Sequence, residues 1–301
     1  MSKEVVLIAN PAAGRGRSRA WAERARAGLQ HAGVAASVVL PGSAEETQEC
    51  ARQAGAGQAA VIVACGGDGT MHAVLQGVAG SPTPLAILGC GTGNDNAREL
   101  QTPARLESWV AAVESALKAD RVRVIDLGRA TAADQSRWFM GVLSTGFDSS
   151  VNERANRMAW PPGRSKYLLG IVAELNTFAA VPYSVRIDGA EHVGEGMLVC
   201  IGNGSRYGGG MRVCPQASLD DGLLELTWLS RVPKRTFLRV FPTVFRGTHV
   251  RHPAVRTMRG ERIWVQGPGQ VAYADGERIG PLPVSIEVVP GALRVLDLRP
   301  S

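Results

Sequence analysis

The first third of the chain alternates short, continuously apolar runs with longer stretches whose apolar residues recur at helical spacing. "VVLIA" (5–9), "ASVVL" (36–40), "AVIVA" (60–64) and "LAIL" (85–88) predict strands. Helices are expected at Ser18–His31, Ala44–Ala54, from Thr70 onward, in a short piece after "GCGTGND", and over Pro103–Ala119. Ser43 and Glu46 have the spacing of a capping box at the second of these. Strands without polar alternation are buried on both faces, so this alternation predicts an α/β domain whose parallel sheet is covered by helices on each side.

From about Val122 the pattern changes. "RVRVIDLGRA", "RWFMGVLSTGF", "YSVRIDG", "GEGMLVCIGN", "GLLELTWLS", "RIWVQG", "QVAYADGE" and "PVSIEVVPGALRVLDL" read as strands separated by Gly, Pro and Asp turns. Several alternate apolar with polar residues, as in an antiparallel sheet with one wet face. Helical inserts are expected at Ser165–Phe178 and Pro233–Arg246. The boundary falls near residue 125: an α/β domain over 1–125, then a mostly antiparallel β-sandwich or open barrel over 126–301, whose last residues are free to pack back on the first domain.

Composition agrees with two globular domains: 301 residues, 45% hydrophobic and 20% charged. The five cysteines are scattered without Cys-x-x-Cys spacing, which suits reduced, structural thiols. No apolar run approaches the ~20 residues of a membrane span, and the N-terminal run is too short for a signal-peptide core. A cytoplasmic protein is expected, with any contact at the inner membrane surface peripheral.

Candidate chemistry collects where strands end. "VVLIA" runs into "NPAAGRGRS", "AVIVA" into "GGDGT" and "LAIL" into "GCGTGND". Ligands of open parallel sheets bind beyond the carboxyl ends of the strands. Glycines let backbone amides approach an anion, and each following helix adds a partial positive charge. Arg15 and Arg17 add full charges. The three loops therefore read as a phosphate site. A carboxylate there, Asp68, is repelled by phosphate unless it holds or orients Mg²⁺; the alternative is an Asp that closes a turn. Thr70, Thr92 and Asn94 supply polar groups at the same edge. No Walker A sequence occurs. In the second domain, "YADGERIG" places Asp275 and Glu277 beside a glycine after a strand, a candidate cluster in which Asp-Gly is also a strong hairpin signal. Ser218, Asp221 and the carbonyl of Leu223 form either an oxygen-only site for Mg²⁺ or Ca²⁺ or a plain turn.

On the segments "NPAAGRGRS", "GGDGTMHAVLQGV", "LGCGTGNDNAREL", "GNGSRYGGGMRVCPQASLDDGLLEL" and "DGE", the sequence resembles the bacterial diacylglycerol kinase catalytic-domain family, which includes sphingosine kinases. GGDG alone is shared with NAD kinases and phosphofructokinases. The resemblance implies a nucleotide domain followed by a β-sandwich domain. It implies ATP contacts from Asn10, Gly14, Gly66, Gly67, Asp68, Gly69, Thr70 and Thr92, with Asn94 beside them, and a catalytic Mg²⁺ served by Asp68. Ser218, Asp221 and Leu223 would hold a second Mg²⁺. Glu277 would accept the proton, supported by Asp275. Diacylglycerol is the implied acceptor, phosphatidic acid the product, and a homodimer the implied assembly. Two positions depart from the family's usual pattern: His72 after "GGDGTM", and Cys90 after Gly89.

Residues 230–262 carry nine Lys/Arg and one acid, Glu261, a local excess of eight against a whole-chain balance of +6. Phe237, Phe241 and Phe245 recur every four residues among Arg235, Arg239 and Arg246. The stripe predicts either contact with an anionic membrane or packing on the sandwich beneath a solvated basic face. No RNA- or DNA-binding motif is present, so nucleic acid is not an expected partner. The competing readings are an NAD-kinase-like enzyme with a soluble acceptor and a catalytically silent nucleotide or lipid sensor.

Overall fold

The computed structural model describes residues 4–11, 17–57, 59–133, 135–157, 173 and 179–299. The chain divides into two compact units, Met1–Leu127 with Pro290–Ser301, and Gly128–Val289.

In the first unit, β1 (Val5–Ala9), β2 (Ala36–Val39), β3 (Val61–Gly66) and β4 (Leu85–Gly89) form a parallel sheet in the order β2–β1–β3–β4. The end of β15 (Val284–Leu296) joins it in parallel, with Val295 opposite Leu85. The helices are α1 (Arg17–His31), α2 (Ala44–Ala56), α3 (Asp68–Val78), α4 (Asp95–Glu99) and α5 (Leu106–Lys118). Every residue of β3 is buried, which is why its sequence is continuously apolar. Val5, Leu7, Val61 and Val63 pack with Ala22 and Leu29 of α1 and with Trp109 and Val113 of α5. Ile62 turns the other way, toward Gly55 of α2. Gly77 lets α3 sit against α2, since a Cβ there would lie 2.3 Å from the Gln48 carbonyl oxygen. Trp109 donates its indole N–H to the Ile87 carbonyl at 2.8 Å, pinning α5 to β4. Ser43 caps α2 by accepting the Glu46 amide at 3.1 Å. The Glu46 carboxylate reaches back to the amide of Gly42, at 2.7 Å, one residue beyond the usual box partner.

The second unit is antiparallel. It contains the latter part of β5 (Val122–Ala132), then β6 (Gln135–Phe139), β7 (Val142–Gly146), β8 (Val181–Ile187), β9 (Ala190–Gly202), β10 (Leu224–Ser230), β11 (Val255–Gly260), β12 (Arg262–Gln266), β13 (Val271–Ala274), β14 (Glu277–Pro281) and the first part of β15. The 13-residue β9 is the hub: its first half pairs with β8, its second half with β7 on one side and β10 on the other. One core joins these strands into a β-sandwich-like body, with Phe139, Tyr183, Ile201, Trp228, Val265 and Ile286 at its centre. Tyr183 and Trp228 meet edge to face, 6.0 Å between ring centroids.

Three features of this unit depart from the sequence expectation. "RWFMGVLSTGF" is two strands, because the amides of Met140, Gly141 and Val142 turn aside to the Asp275 carboxylate. A helix, α6 (Phe147–Arg157), follows β7 directly, turning at Gly146 with φ +93. The charged segment "VRTMRG" is β11, paired with β10. The insert expected at Pro233–Arg246 is α7 (Lys234–Val240), continued as a 3₁₀ turn over Phe241–Arg246 around Pro242. Proline lacks the N–H that an unbroken α-helix needs there. Apart from Ala173, the insert expected at Ser165–Phe178 lies outside the described residues.

Candidate active site

β1, β3 and β4 are adjacent, run in one direction and end level, with Ala9 opposite Cys65 and Gly66 opposite Gly89. The loops that leave them therefore rise from one edge. Asn10 follows β1, and its carbonyl accepts the Ser18 hydroxyl at 2.5 Å, joining the strand end to the start of α1. Gly14 and Arg15 lie outside the described residues.

The other two loops touch backbone to backbone. A Cβ on Gly91 would stand 2.5 Å from the Cα of Gly67, and one on Gly66 would stand 2.4 Å from the Thr70 hydroxyl. The Cys90 amide donates to the Gly66 carbonyl at 2.9 Å. Asp68, the first residue of α3, reaches across this contact. Its Oδ2 accepts the Asn94 amide at 2.9 Å and its Oδ1 the Asp95 amide at 2.8 Å. Asn94 is left-handed, φ 55, and its side chain bonds both the amide and the carbonyl of Gly91 at 3.0 Å. Arg98 donates to the Gly93 carbonyl and to Asp95. Asp68 thus clamps one glycine loop to the other.

This clamp changes which helix faces an anion. The leading amides of α4 are taken by Asp68. The first turn of α3 has Gly67 at its N-cap with no side-chain cap, and Gly69 is exposed. Of these two helices, α3 is therefore the one whose first-turn amides are left without a side-chain cap. Thr92 is exposed on the neighbouring loop, whereas Thr70 is buried against Gly66. Behind the loops, the buried Cys65 thiol donates to the Ser18 carbonyl at 3.5 Å; the neighbouring Cys90 thiol and burial push the Cys65 thiol far up. Cys90 is held down by its neighbour Cys65 and by the nearby charge of Arg17. The unusual residue at 90 is thus a buried neighbour of Cys65, and none of the five cysteines is in a disulfide.

In the second unit, Asp275 and Gly276 form a two-residue hairpin loop with φ 50 and 87. The Asp275 carboxylate accepts three amides, from Met140 (2.9 Å), Gly141 (2.9 Å) and Val142 (3.2 Å). Its geometry is that of an anchor for the turn. Glu277 opens β14 and is exposed. The hairpin is braced from α6: Glu153 accepts from the Tyr273 hydroxyl at 3.0 Å and from Arg278 at 3.3 Å.

Ser218, Asp221 and Leu223 share one turn before β10. Ser218 donates to Asp220 at 2.7 Å, Asp221 accepts the Leu223 amide at 3.1 Å, and Arg259 pairs with the other Asp221 oxygen. Among the described residues no group of three or more His, Cys, Asp or Glu lies together. The donors here are oxygens with one carboxylate. They fit a hard ion that keeps much of its water, as Mg²⁺ does, in place of an all-protein cage. Just beyond the turn, Glu225 is fully buried; its Oε2 accepts the Gln216 amide at 2.6 Å, and burial raises its pKa.

The second unit also holds a feature with no local signature along the chain. An apolar cavity is walled by Phe147, Leu198, Phe237, Phe241, Val244 and Val255. Its polar lining comes from Asp148, Tyr207, Thr227 and His249. Asp148 is buried and accepts the Ser144 hydroxyl at 2.6 Å. His249 is also buried and faces the Val213 carbonyl through Nε2 at 3.1 Å; burial lowers its pKa. Phe237 packs on Phe147 at 4.8 Å and on Phe241 at 5.8 Å. Two members of the phenylalanine stripe therefore turn inward, while Phe245 is exposed. The residues of this wall come from α6, β9, β11 and the continuous α7–3₁₀ segment, which are separated along the chain and share no motif.

Comparison with known proteins agrees over both units. A diacylglycerol kinase catalytic domain matches residues 4–130, and a YegS C-terminal NAD kinase beta sandwich-like domain matches 141–297. A diacylglycerol kinase of Mycobacterium tuberculosis (strain ATCC 25618 / H37Rv) is 39% identical over 298 residues, covering 98% of this chain and 96% of that one. A probable lipid kinase, YegS-like, of Stenotrophomonas maltophilia is 30% identical over 250 residues, 78% of each. The crystal structure of a putative diacylglycerol kinase from Bacillus anthracis str. Sterne shares the fold, with a TM-score of 0.78 at 20% identity, covering 98% of this chain and 96% of the other.

Proposed function

The chain belongs to the bacterial diacylglycerol kinase and YegS-like lipid kinase family, and on that premise we propose that it is an ATP-dependent lipid kinase. It transfers the γ-phosphoryl group of ATP to a lipid hydroxyl, with diacylglycerol as acceptor and phosphatidic acid as product. The observation that carries a lipid acceptor is the apolar cavity, whose walls suit acyl carbon and whose few polar side chains, among them Tyr207 and Thr227, suit a polar head group.

Phosphoryl transfer asks mainly for positioning and for charge stabilisation. The α3 amides and Gly66–Thr70 receive the phosphates, with Asn10, Gly14, Thr92 and Asn94 completing the nucleotide's surroundings. Asp68 holds the two glycine loops at fixed separation, so that their amides do not have to reorganise during the reaction. Glu277 takes the proton of the attacking hydroxyl as the new P–O bond forms and ADP departs. Its exposure lets that proton pass to water. Asp275 holds Glu277 in place through the amides of residues 140–142. Mg²⁺, when bound, neutralises phosphate charge. Asp68 would be its protein partner at the nucleotide, and Ser218, Asp221 and the Leu223 carbonyl would hold a second, structural ion. Among the described residues no helix is long and apolar enough to cross a membrane. On the proposed reading the enzyme meets its lipid from the cytoplasmic side.

A panel of diacylglycerol, sphingoid base, ceramide, phosphatidylglycerol and NAD with labelled ATP tests the assignment. Label is expected on diacylglycerol. Glu277→Gln should lose about 10²-fold or more in kcat with an unchanged melting temperature. Label on NAD alone, on no acceptor, or normal turnover in Glu277→Gln contradicts it.

A further inference from the structure

The wall of the cavity formed by α7 and the 3₁₀ turn has an outer face of a different kind. Phe237, Val240, Phe241 and Val244 line the cavity, whereas Arg235, Leu238, Arg239, Pro242, Phe245 and Arg246 are exposed. The outer set recurs at intervals of three and four, one side of a continuous helical path. Leu238 is 57% and Phe245 47% exposed, two of only four large hydrophobics so exposed among the described residues. Arg235, Arg239 and Arg246 form no ion pair among the described residues, while other cations of the basic tract have partners: Arg231 with Glu195, Arg259 with Asp221, and Arg256 over the Trp228 ring.

We infer that this outer face docks on an anionic bilayer, with Leu238 and Phe245 inserted among the head groups and Arg235, Arg239 and Arg246 against lipid phosphates. The partner is assigned by charge and polarity together. A helical face with cations beside isolated, exposed large apolar side chains fits the boundary between charged head groups and acyl chains. An acidic protein surface would satisfy the arginines and leave Leu238 and Phe245 in water. The other side of the same segment walls the apolar cavity, so docking brings that wall to the surface where a lipid acceptor resides. In this respect the inference rests on the lipid-kinase assignment; attachment to the bilayer does not. Of the phenylalanine stripe only Phe245 belongs to the docking face, because Phe237 and Phe241 are turned into the cavity.

Co-sedimentation of the full chain with vesicles of phosphatidylcholine, with and without phosphatidylglycerol, tests it. The wild type should bind the anionic vesicles, bind the zwitterionic ones poorly and detach as salt is raised. Arg235→Gln/Arg239→Gln/Arg246→Gln should lose about tenfold or more in partitioning, each cation being worth ~1 kcal/mol at such a surface. Leu238→Ser/Phe245→Ser should also weaken binding, although its charge is unchanged. Both variants should keep the wild-type melting temperature and phosphorylate a short-chain, monomeric diacylglycerol at the wild-type rate. Equal binding to zwitterionic vesicles, undiminished binding by either variant, or loss of a dimer in place of vesicle binding overturns the docking assignment. Failure of the wild type to phosphorylate the monomeric lipid, with vesicle binding intact, counts against the lipid-kinase assignment and leaves docking standing.

Discussion

Asp68 accepts the backbone amide of Asn94 at 2.9 Å across the contact between two glycine loops. With the Asp95 amide on its other oxygen, this one carboxylate caps α4 from another element. It closes a junction between strands β3 and β4 at the edge where the phosphates are proposed to lie. Asp68→Ala removes both charge-assisted acceptors and leaves two amides to find water. A loss of about 2–4 kcal/mol in urea unfolding is expected, together with loss of nucleotide binding by calorimetry. Asp68→Asn keeps one acceptor oxygen and should lie between.

Gly91→Ala tests the closeness of the same junction. Its Cβ would fall 2.5 Å from the Cα of Gly67, where no side-chain rotation relieves the clash. Stability should drop by about 1–3 kcal/mol, with nucleotide affinity falling in parallel. Gly80→Ala is the control: φ is +77 and no atom lies near, so only backbone strain is added. It should leave nucleotide affinity unchanged.

Asp275→Ala strands the amides of Met140, Gly141 and Val142. Unfolding measurements should show about 2–4 kcal/mol of destabilisation. Glu277→Gln, at an exposed position, should show almost none. The contrast separates the anchoring carboxylate from the proposed proton acceptor two residues away.

Glu225 predicts a pH dependence. Burial raises its folded pKa above the ordinary 4.5, against smaller opposing contributions from the Gln216 and Ala217 amides and from Arg259. The folded state therefore holds this proton more tightly than the unfolded chain. Its contribution to stability is full below about 4.5 and is lost as pH rises through the folded pKa. Glu225→Gln should flatten the stability–pH curve over that window, as read from urea midpoints. An unchanged curve would show that another group governs it.

Phe237→Ala should cost about 3–5 kcal/mol, because the ring is buried between Phe147 and Phe241. It also enlarges the proposed acyl site. The ratio of kcat/KM for long-chain to short-chain diacylglycerol should change more than the rate on the short chain.

Much of the first unit is legible from local pattern. Buried parallel strands must be apolar throughout, so β1, β3 and β4 declare themselves, and their glycine loops mark one edge once the sheet is parallel. The second unit is harder to read. β11 carries three residues exposed to solvent and one arginine stacked on Trp228, so its sequence resembles a basic surface segment. The break between β6 and β7 depends on a carboxylate more than 130 residues away. Asp68 shows the same limit: its spacing reveals that a carboxylate sits among glycines, but its amide partners lie 26 and 27 residues further on.

What the amino-acid sequence determined by itself was the class of each unit and the chemical types gathered at the strand ends. Period and glycine placement are local properties, fixed by backbone sterics and by burial on one face or two. Only the tertiary structure decided which carboxylates clamp loops, which way the phenylalanine stripe turns, and that an apolar cavity lies beneath α7. Those outcomes depend on which distant segment supplies the hydrogen-bond donor or fills the space opposite, and no spacing along the chain records that.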